Sequence, residues 1–199
     1  MGENYLAAQL SLLLVKKIFF MRLRNMFSRL AALALLNLTA TYAFGQVTVS
    51  NLGETLLVAE EIAPNRWLAG SFTTDAYSSS YQLASVTVNL YDVSGTPTGF
   101  SLRLFSDNSG APGTSLETLS GNNNPTTTGN YSYTSSGTTL NSNSTYWIVA
   151  SAATGAYDPG SDFYYWGASD TNNQTTTGGP TWLIGDVVSY STNSGSSWV

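Results

Sequence analysis

The sequence contains no cysteine and no histidine, and its last lysine is Lys17. Without these side chains the body of the chain cannot assemble a Ser-His-Asp or Cys-His nucleophile, or a zinc site of the usual ligand types. It also has no lysine for a P-loop or a Schiff base. Because no disulfide can form, stability must come from a buried core. These absences predict a non-enzymatic protein that uses no cofactor.

Charge is also scarce, since charged residues make up only 10% of the chain. Five of the seven basic residues precede position 30, so residues 46–199 hold two basic and eleven acidic side chains, a formal balance of −9. The two basic residues of this part are Arg66 and Arg103. An acidic body has no basic stripe to neutralise phosphates, which predicts that nucleic acids and anionic lipid surfaces are not partners.

Residues 21–45 have the three-part pattern of a secretory signal. A positive region contains the three arginines Arg22, Arg24 and Arg29. A short apolar run begins over Leu30–Leu38, and the small residues Ala43 and Gly45 follow at the −3 and −1 positions of a cut before Gln46. We therefore predict cleavage between Gly45 and Gln46, with an amphipathic core helix as the alternative. The apolar run is shorter than the ~20 residues of a membrane span.

The organisation predicted from this pattern is a signal segment over residues 1–45 and one domain over residues 46–199. Residues 1–20 add a second apolar segment ahead of a complete signal. This arrangement suggests that the true start is Met21 or Met26. If the first twenty residues are real, they provide an alternative N-terminal membrane anchor.

The body alternates apolar and polar residues with a period of two, which is typical of half-buried strands. Val86, Val88 and Leu90 share one face of ASVTVNLYDV, and the continuous apolar run at 146–152 is typical of a central strand covered on both faces. Gly, Asn, Asp and Pro between such segments supply turns. About nine strands at this spacing predict an all-β, two-sheet antiparallel sandwich, jelly-roll-like, with a barrel as the alternative.

Two candidate binding sites emerge from the residue types. Asp107 and Asn108 open a run that resembles the start of a Ca²⁺ loop, although an Asx turn explains the same residues without a metal. Tyr164, Trp166 and Trp182 belong to an aromatic cluster whose rings could stack on sugars. Tyr164 and Trp166 share one face of their strand, and core packing is the favoured explanation of the cluster.

Carboxylate pairs are the remaining route to catalysis, as in glycoside hydrolysis. The spacing of the acids singles out no pair, so solvated turn acids are the favoured interpretation and a carboxylate-dependent glycosidase is a remote alternative. The acids considered are Glu54, Glu60, Glu61, Glu117, Asp158, Asp162, Asp170 and Asp186.

The ordered series of motifs at 67–74 (WLAGSFTT), 81–121, 129–152 and 190–198 (YSTNSGSSW) resembles the choice-of-anchor R domain family. The resemblance covers most of residues 50–199. It implies an exported domain attached to the bacterial envelope by a C-terminal sorting signal, often of the PEP-CTERM type, with no enzymatic activity. The chain stops at Val199 without a Pro-Glu-Pro motif, an apolar helix or an arginine cluster. We therefore expect a domain truncated at its C-terminus.

These observations together predict a non-enzymatic surface or extracellular-matrix domain with a structural or adhesive role. Its expected partners are the export and surface-sorting machinery, with envelope or extracellular polysaccharide as a further candidate. The second hypothesis is a carbohydrate-binding module that uses exposed aromatic residues.

The export signal makes a direct prediction about the mature protein. Because the cleavage pattern lies at Ala43–Gly45, mass spectrometry of the exported protein should find an N-terminus at Gln46. A retained Met1 would contradict the signal.

Overall fold

A computed structural model describes residues 33–42, 45–155, 162–169, 173–178 and 181–199. These parts of the chain form strands, turns and loops, and none of them is helical. Accordingly, the described residues contain no helix that is long and apolar enough to cross a membrane. The strand content follows from β-branched and aromatic clusters separated by Gly, Asn and Ser turns.

Fourteen strands of the described chain form two antiparallel sheets. The first sheet has nine strands: β1 (Leu33–Ala34), β2 (Leu36–Tyr42), β3 (Gly45–Ser50), β4 (Val58–Ile62), β6 (Ser80–Ser94), β9 (Gly129–Thr134), β10 (Thr139–Asn141), β12 (Phe163–Ser169) and β13 (Thr175–Thr177). The second sheet has five: β5 (Trp67–Thr73), β7 (Ser101–Asp107), β8 (Pro112–Thr118), β11 (Thr145–Ser151) and β14 (Leu183–Ser191). The predicted two-sheet antiparallel sandwich is confirmed, with more strands than the nine expected.

Strand β6 organises the first sheet because both of its edges are paired. It contains 15 residues. Along one edge it pairs with β2 and then with β12, and along the other with β10 and then with β9. Val86, Val88 and Leu90 are fully buried on its inner face, as their alternation predicted. The remaining strands of this sheet are therefore connected to β6 directly or through one or two intervening strands.

Strand β11 is the middle strand of the second sheet, between β5 and β7. Every residue from Tyr146 to Ser151 is buried. Ile148 points into the core between the sheets, whereas Trp147 and Val149 belong to a smaller cluster on the opposite face. The prediction of a central strand covered on both faces is confirmed.

Aromatic rings fill much of the space between the sheets. Phe72 stacks on Trp182 with ring centroids 5.6 Å apart, and the edge of Tyr81 meets Trp182 at 5.0 Å. Phe100 meets Tyr164 edge-on at 5.1 Å. Such pairs stabilise a core beyond their buried area, which suits a domain with no disulfide.

The sandwich also includes residues that the sequence analysis assigned to the export signal. Strand β2 lies between β3 and β6, and Leu36, Leu38 and Ala40 are fully buried. The predicted boundary at 45/46 therefore falls at the start of β3, where Tyr42 of β2 pairs with Gly45. The described fold begins at residue 33, and cleavage before Gln46 stays a prediction.

Truncation of Trp147 tests the central position of β11. Because its side chain is only 3% exposed, Trp147→Ala should lower the free energy of unfolding by ~3–5 kcal/mol. Urea unfolding followed by circular dichroism measures the change. Leu116→Ala is the control, since Leu116 lies in β8 of the same sheet and is 43% exposed. Near-wild-type stability of Trp147→Ala would contradict the packing described here.

Candidate functional site

The three aromatic residues predicted to bind a ligand lie in the core. Tyr164 and Trp182 are 0% exposed and Trp166 is 2% exposed, so none of them offers a ring face to a sugar. Tyr164 and Trp166 do share a face of β12, as the alternation predicted, but that face is the interior one. The binding interpretation of these residues is therefore corrected to core packing.

Internal hydrogen bonds satisfy the polar atoms of two of these side chains. The Tyr164 hydroxyl donates to the carbonyl oxygen of Pro97 at 2.8 Å, and the Trp166 indole donates to that of Leu35 at 3.3 Å. Burial raises the pKa of Tyr164 to about 12, with a smaller contribution from Tyr131. Both residues therefore join the core to main-chain atoms of other segments.

Asp107 and Asn108 form the tight turn between β7 and β8. The Asp107 carboxylate accepts the main-chain N–H of Gly110 at 3.2 Å and the indole N–H of Trp147 at 2.8 Å. The Asn108 N–H donates to the carbonyl of Ala111 at 2.8 Å, which closes the turn. Within the described residues, no group of three or more acidic, histidine or cysteine side chains is placed to hold a metal ion. Because the bond from the Gly110 N–H spans three residues rather than the two of an Asx turn, Asp107 caps the β7–β8 turn in a related geometry.

Glu117 fastens the loop between β9 and β10. Its carboxylate accepts hydrogen bonds from the Ser135 hydroxyl at 2.6 Å, from the Thr138 hydroxyl and from the Ser136 N–H. Burial alone would raise the pKa of Glu117, but these hydrogen bonds outweigh burial and lower it below 4.5. The charged form of Glu117 is therefore a structural acceptor.

Asp75 likewise fastens neighbouring segments by accepting hydrogen bonds, at the place where β5, β6 and β14 approach one another. Its carboxylate accepts from the Tyr81 hydroxyl, from the Thr181 N–H and from the Tyr77 N–H at 3.0 Å. These bonds lower the pKa of Asp75 below 3.8 against the opposing effect of burial. Burial and the bond to Asp75 raise the pKa of Tyr81 to about 12.

Two further acids hold neighbouring side chains. Glu60 forms an ion pair with Arg66, whose guanidinium also lies over the Tyr190 ring, 4.9 Å from its centroid. Glu61 accepts the Tyr165 hydroxyl at 2.8 Å. Of the other acids considered as catalytic candidates, Asp158 and Asp170 lie outside the described residues.

The side of the second sheet that faces away from the core carries a cluster that we call the outer aromatic face: Trp67, Arg103, Phe105, Trp147 and Trp198. Phe105 and Trp147 are buried, while Trp67 and Trp198 are partly buried and pack against them. The Arg103 guanidinium lies 4.0 Å from the centroid of the Trp67 ring and donates to the Ser151 hydroxyl at 2.9 Å. On this face several aromatic rings and a cation meet.

Arg103 is desolvated on this face, and burial lowers its pKa. Its Nε atom is buried, and in the part of the chain that the structure describes it has no hydrogen-bond partner. The Trp198 indole nitrogen is likewise buried and has no hydrogen-bond partner among the described residues. The outer aromatic face thus holds two buried donors beside partly exposed rings.

The end of the chain covers part of the outer aromatic face. Val199 and Tyr190 exchange two main-chain hydrogen bonds of 3.0 and 3.1 Å, which fold residues 191–199 back along β14. A Cβ atom on Gly195 would lie 2.6 Å from the Trp67 ring, so the main chain passes directly against that ring. Sequence reasoning missed this cluster, because Trp198 joins it only through this return of the chain.

Gly45 and Gln46, the residues of the predicted cleavage site, lie at the start of β3. Gln46 is exposed, and its main chain pairs with that of Thr41 in β2. The predicted scissile bond therefore lies at the first two residues of β3, where that strand pairs with β2.

No family model, no curated protein and no solved structure matches the chain. The resemblance to the choice-of-anchor R domains therefore stays a prediction, and the functional argument depends on the geometry above.

The lowered pKa of Glu117 makes a prediction about acid stability. A carboxyl whose pKa is lower in the folded state stabilises the fold above its unfolded value and loses that contribution as the pH falls through the folded value. The melting temperature of the wild type should therefore fall more between pH 7 and pH 3 than that of Glu117→Gln. Scanning calorimetry at both pH values measures this. Asp186→Asn, an exposed acid, is the control, and equal acid sensitivity of Glu117→Gln and wild type would contradict the role of Glu117.

Proposed function

We propose that the chain is a non-enzymatic, exported β-sandwich module with a structural or adhesive role at the bacterial surface or in the extracellular matrix. We further propose that it is of the choice-of-anchor R type and is normally attached through a C-terminal sorting signal. The observation that supports this proposal is that the carboxylates serve as structural hydrogen-bond acceptors. Asp75, Asp107 and Glu117 each accept two or more hydrogen bonds that fasten loops to strands.

The hydrogen bonds that these carboxylates accept argue against a role in acid–base catalysis. A catalytic acid in glycoside hydrolysis needs a raised pKa and an open position beside a second carboxyl. The pKa values of Asp75 and Glu117 are shifted the other way, and their oxygens are occupied by neighbouring hydroxyl and amide groups. Acids with this environment hold a scaffold rigid, which is what a load-carrying spacer or adhesive module requires.

The surface chemistry is compatible with an extracellular setting. Exposed positions of the described chain are mainly Ser, Thr, Asn and Gly, and hydroxyl and amide pairs join neighbouring strands. Thr87 bonds Ser132 at 2.6 Å, and Asn89 donates to Asn130 at 2.8 Å, across β6 and β9. Such pairs depend little on pH or salt, in contrast to surface ion pairs.

A second candidate function is polysaccharide binding at the outer aromatic face. It is favoured by the partly exposed rings of Trp67 and Trp198 next to Arg103, since aromatic rings and guanidinium groups both contact sugars well. Tyr164, Trp166 and Trp182 play no part in this candidate.

Affinity electrophoresis distinguishes the two functions. If the module is purely structural, its migration should be the same in plain gels and in gels containing glucan, xylan or mannan. Retardation in one of these gels that disappears in Trp198→Ala would instead favour polysaccharide binding. Tyr91→Ala is the matched control, because Tyr91 is a 54% exposed ring on the other sheet. Release of sugars from any of these gels would contradict the non-enzymatic proposal.

A further inference from the structure

The strongest unexplained feature is the position of residues 33–42, which the export signal would remove. We propose that the exported form carries an acceptor groove for an uncharged β-strand of another polypeptide, at the place that β1 and β2 occupy in the structure. The proposal rests on the proposed export, in which a signal peptidase adds water across the Gly45–Gln46 peptide bond. That hydrolysis leaves a carboxyl group on Gly45 and a free amino group on Gln46.

The groove would have strand edges on both sides. In the structure β2 pairs antiparallel with β3 from Asn37↔Ser50 to Tyr42↔Gly45, and with β6 from Leu36↔Val88 to Thr41↔Gln82. Removal of β2 frees one edge of β3 and the adjoining edge of β6. Two facing rows of unpaired N–H and C=O groups are a template for an added strand.

Asn51 gives the groove a specific means of recognising a peptide main chain. This side chain is 2% exposed. Its Oδ1 accepts the N–H of Leu36 at 2.6 Å, and its Nδ2 donates to the carbonyl oxygen of Ala34 at 2.8 Å. Both bonds go to main-chain atoms, so any residue type could satisfy them. Without a strand in place, this amide would lose both protein partners, and an added strand would restore the two hydrogen bonds in a buried position.

A second buried donor acts on the same stretch of main chain. The Trp166 indole, in a side chain that is 2% exposed, donates to the carbonyl oxygen of Leu35. The N–H of Leu35 in turn donates to the carbonyl oxygen of Gly167 at 3.0 Å. Asn51 and Trp166 both remain in the body after cleavage, and both are aimed at the vacated strand position.

The side chains of β2 define the chemistry of the occupant. Leu36, Leu38 and Ala40 are fully buried at alternate positions, so the groove accepts apolar side chains with a spacing of two residues. Ala34 lies against Gly70 of the opposite sheet, where a Cβ atom on Gly70 would be 2.6 Å away, so a small residue is required there. Residues 33–42 carry no charge, which predicts an uncharged donor strand.

The experiment uses the full chain with a specific protease site inserted between Tyr42 and Gly45. The folded protein is cut at this site and then mixed with a fluorescent synthetic peptide of residues 33–42. Fluorescence anisotropy should show saturable binding as the peptide replaces the cut fragment. The same peptide with Leu36→Asp and Leu38→Asp should not bind, and Asn51→Leu in the body should weaken binding by on the order of tenfold.

Three controls make the result decisive. The uncut protein should bind no peptide, because its groove is filled. Ser85→Ala removes only the 2.6 Å contact of the Ser85 hydroxyl with Thr39, so it should change binding less than Asn51→Leu does. If Asn51→Leu fails to fold, the aspartate-bearing peptide still tests the groove, since it leaves the body unchanged.

Several outcomes would overturn the proposal. Absence of binding, or equal binding of the aspartate-bearing peptide, would rule out a specific groove. Self-association of the cut protein that excludes the peptide would identify a second copy as the occupant instead. Failure of the export proposal is detected by a separate measurement, the N-terminus of the exported protein. If that N-terminus lies at or before Leu33, the protein keeps β2, whether or not the peptide binds to the cut protein.

Discussion

The pairing of both edges of β6 is the constraint on which the rest of the sandwich depends. A strand of 15 residues in the middle of a sheet carries main-chain donors and acceptors on both sides, and those that are buried must find partners. Four strands supply those partners. Because β6 also buries Val86, Val88 and Leu90, a one-residue change of its register would move these residues out of the core.

The acidic residues and the aromatic core both stabilise the fold, the first by fastening loops and the second by filling the interior. With no disulfide and one ion pair among the described side chains, the loops need another means of attachment. Asp75 and Glu117 provide it by accepting several hydrogen bonds each, which explains why their pKa values are lowered although burial acts against this. The stacked rings of Phe72 and Trp182 then fill the space that the loops enclose.

Period-two alternation was sufficient to predict the fold class and the inner face of β6, and the continuous apolar run at 146–152 predicted the central place of β11. It could not assign the faces of β12, where Phe163, Tyr164, Tyr165 and Trp166 are all large enough for a core or for a binding surface. Only the packing of the two sheets decides that Tyr164 and Trp166 point inward. The outer aromatic face was equally hidden, since Trp67 and Trp198 are 131 positions apart and meet only because the chain returns along β14.

Residues 33–42 show how one sequence can satisfy two physical requirements. A signal segment needs a short apolar run without charge, and a core strand needs apolar residues at alternate positions. Leu36, Leu38 and Ala40 meet both requirements, because Asn37 and Thr39 interrupt the run without adding charge. Sequence reasoning had to choose between the two, whereas the fold shows that Asn51 and Trp166 are built to hold this main chain. Both side chains lie outside residues 33–42, so their hydrogen bonds join this strand to the rest of the sandwich.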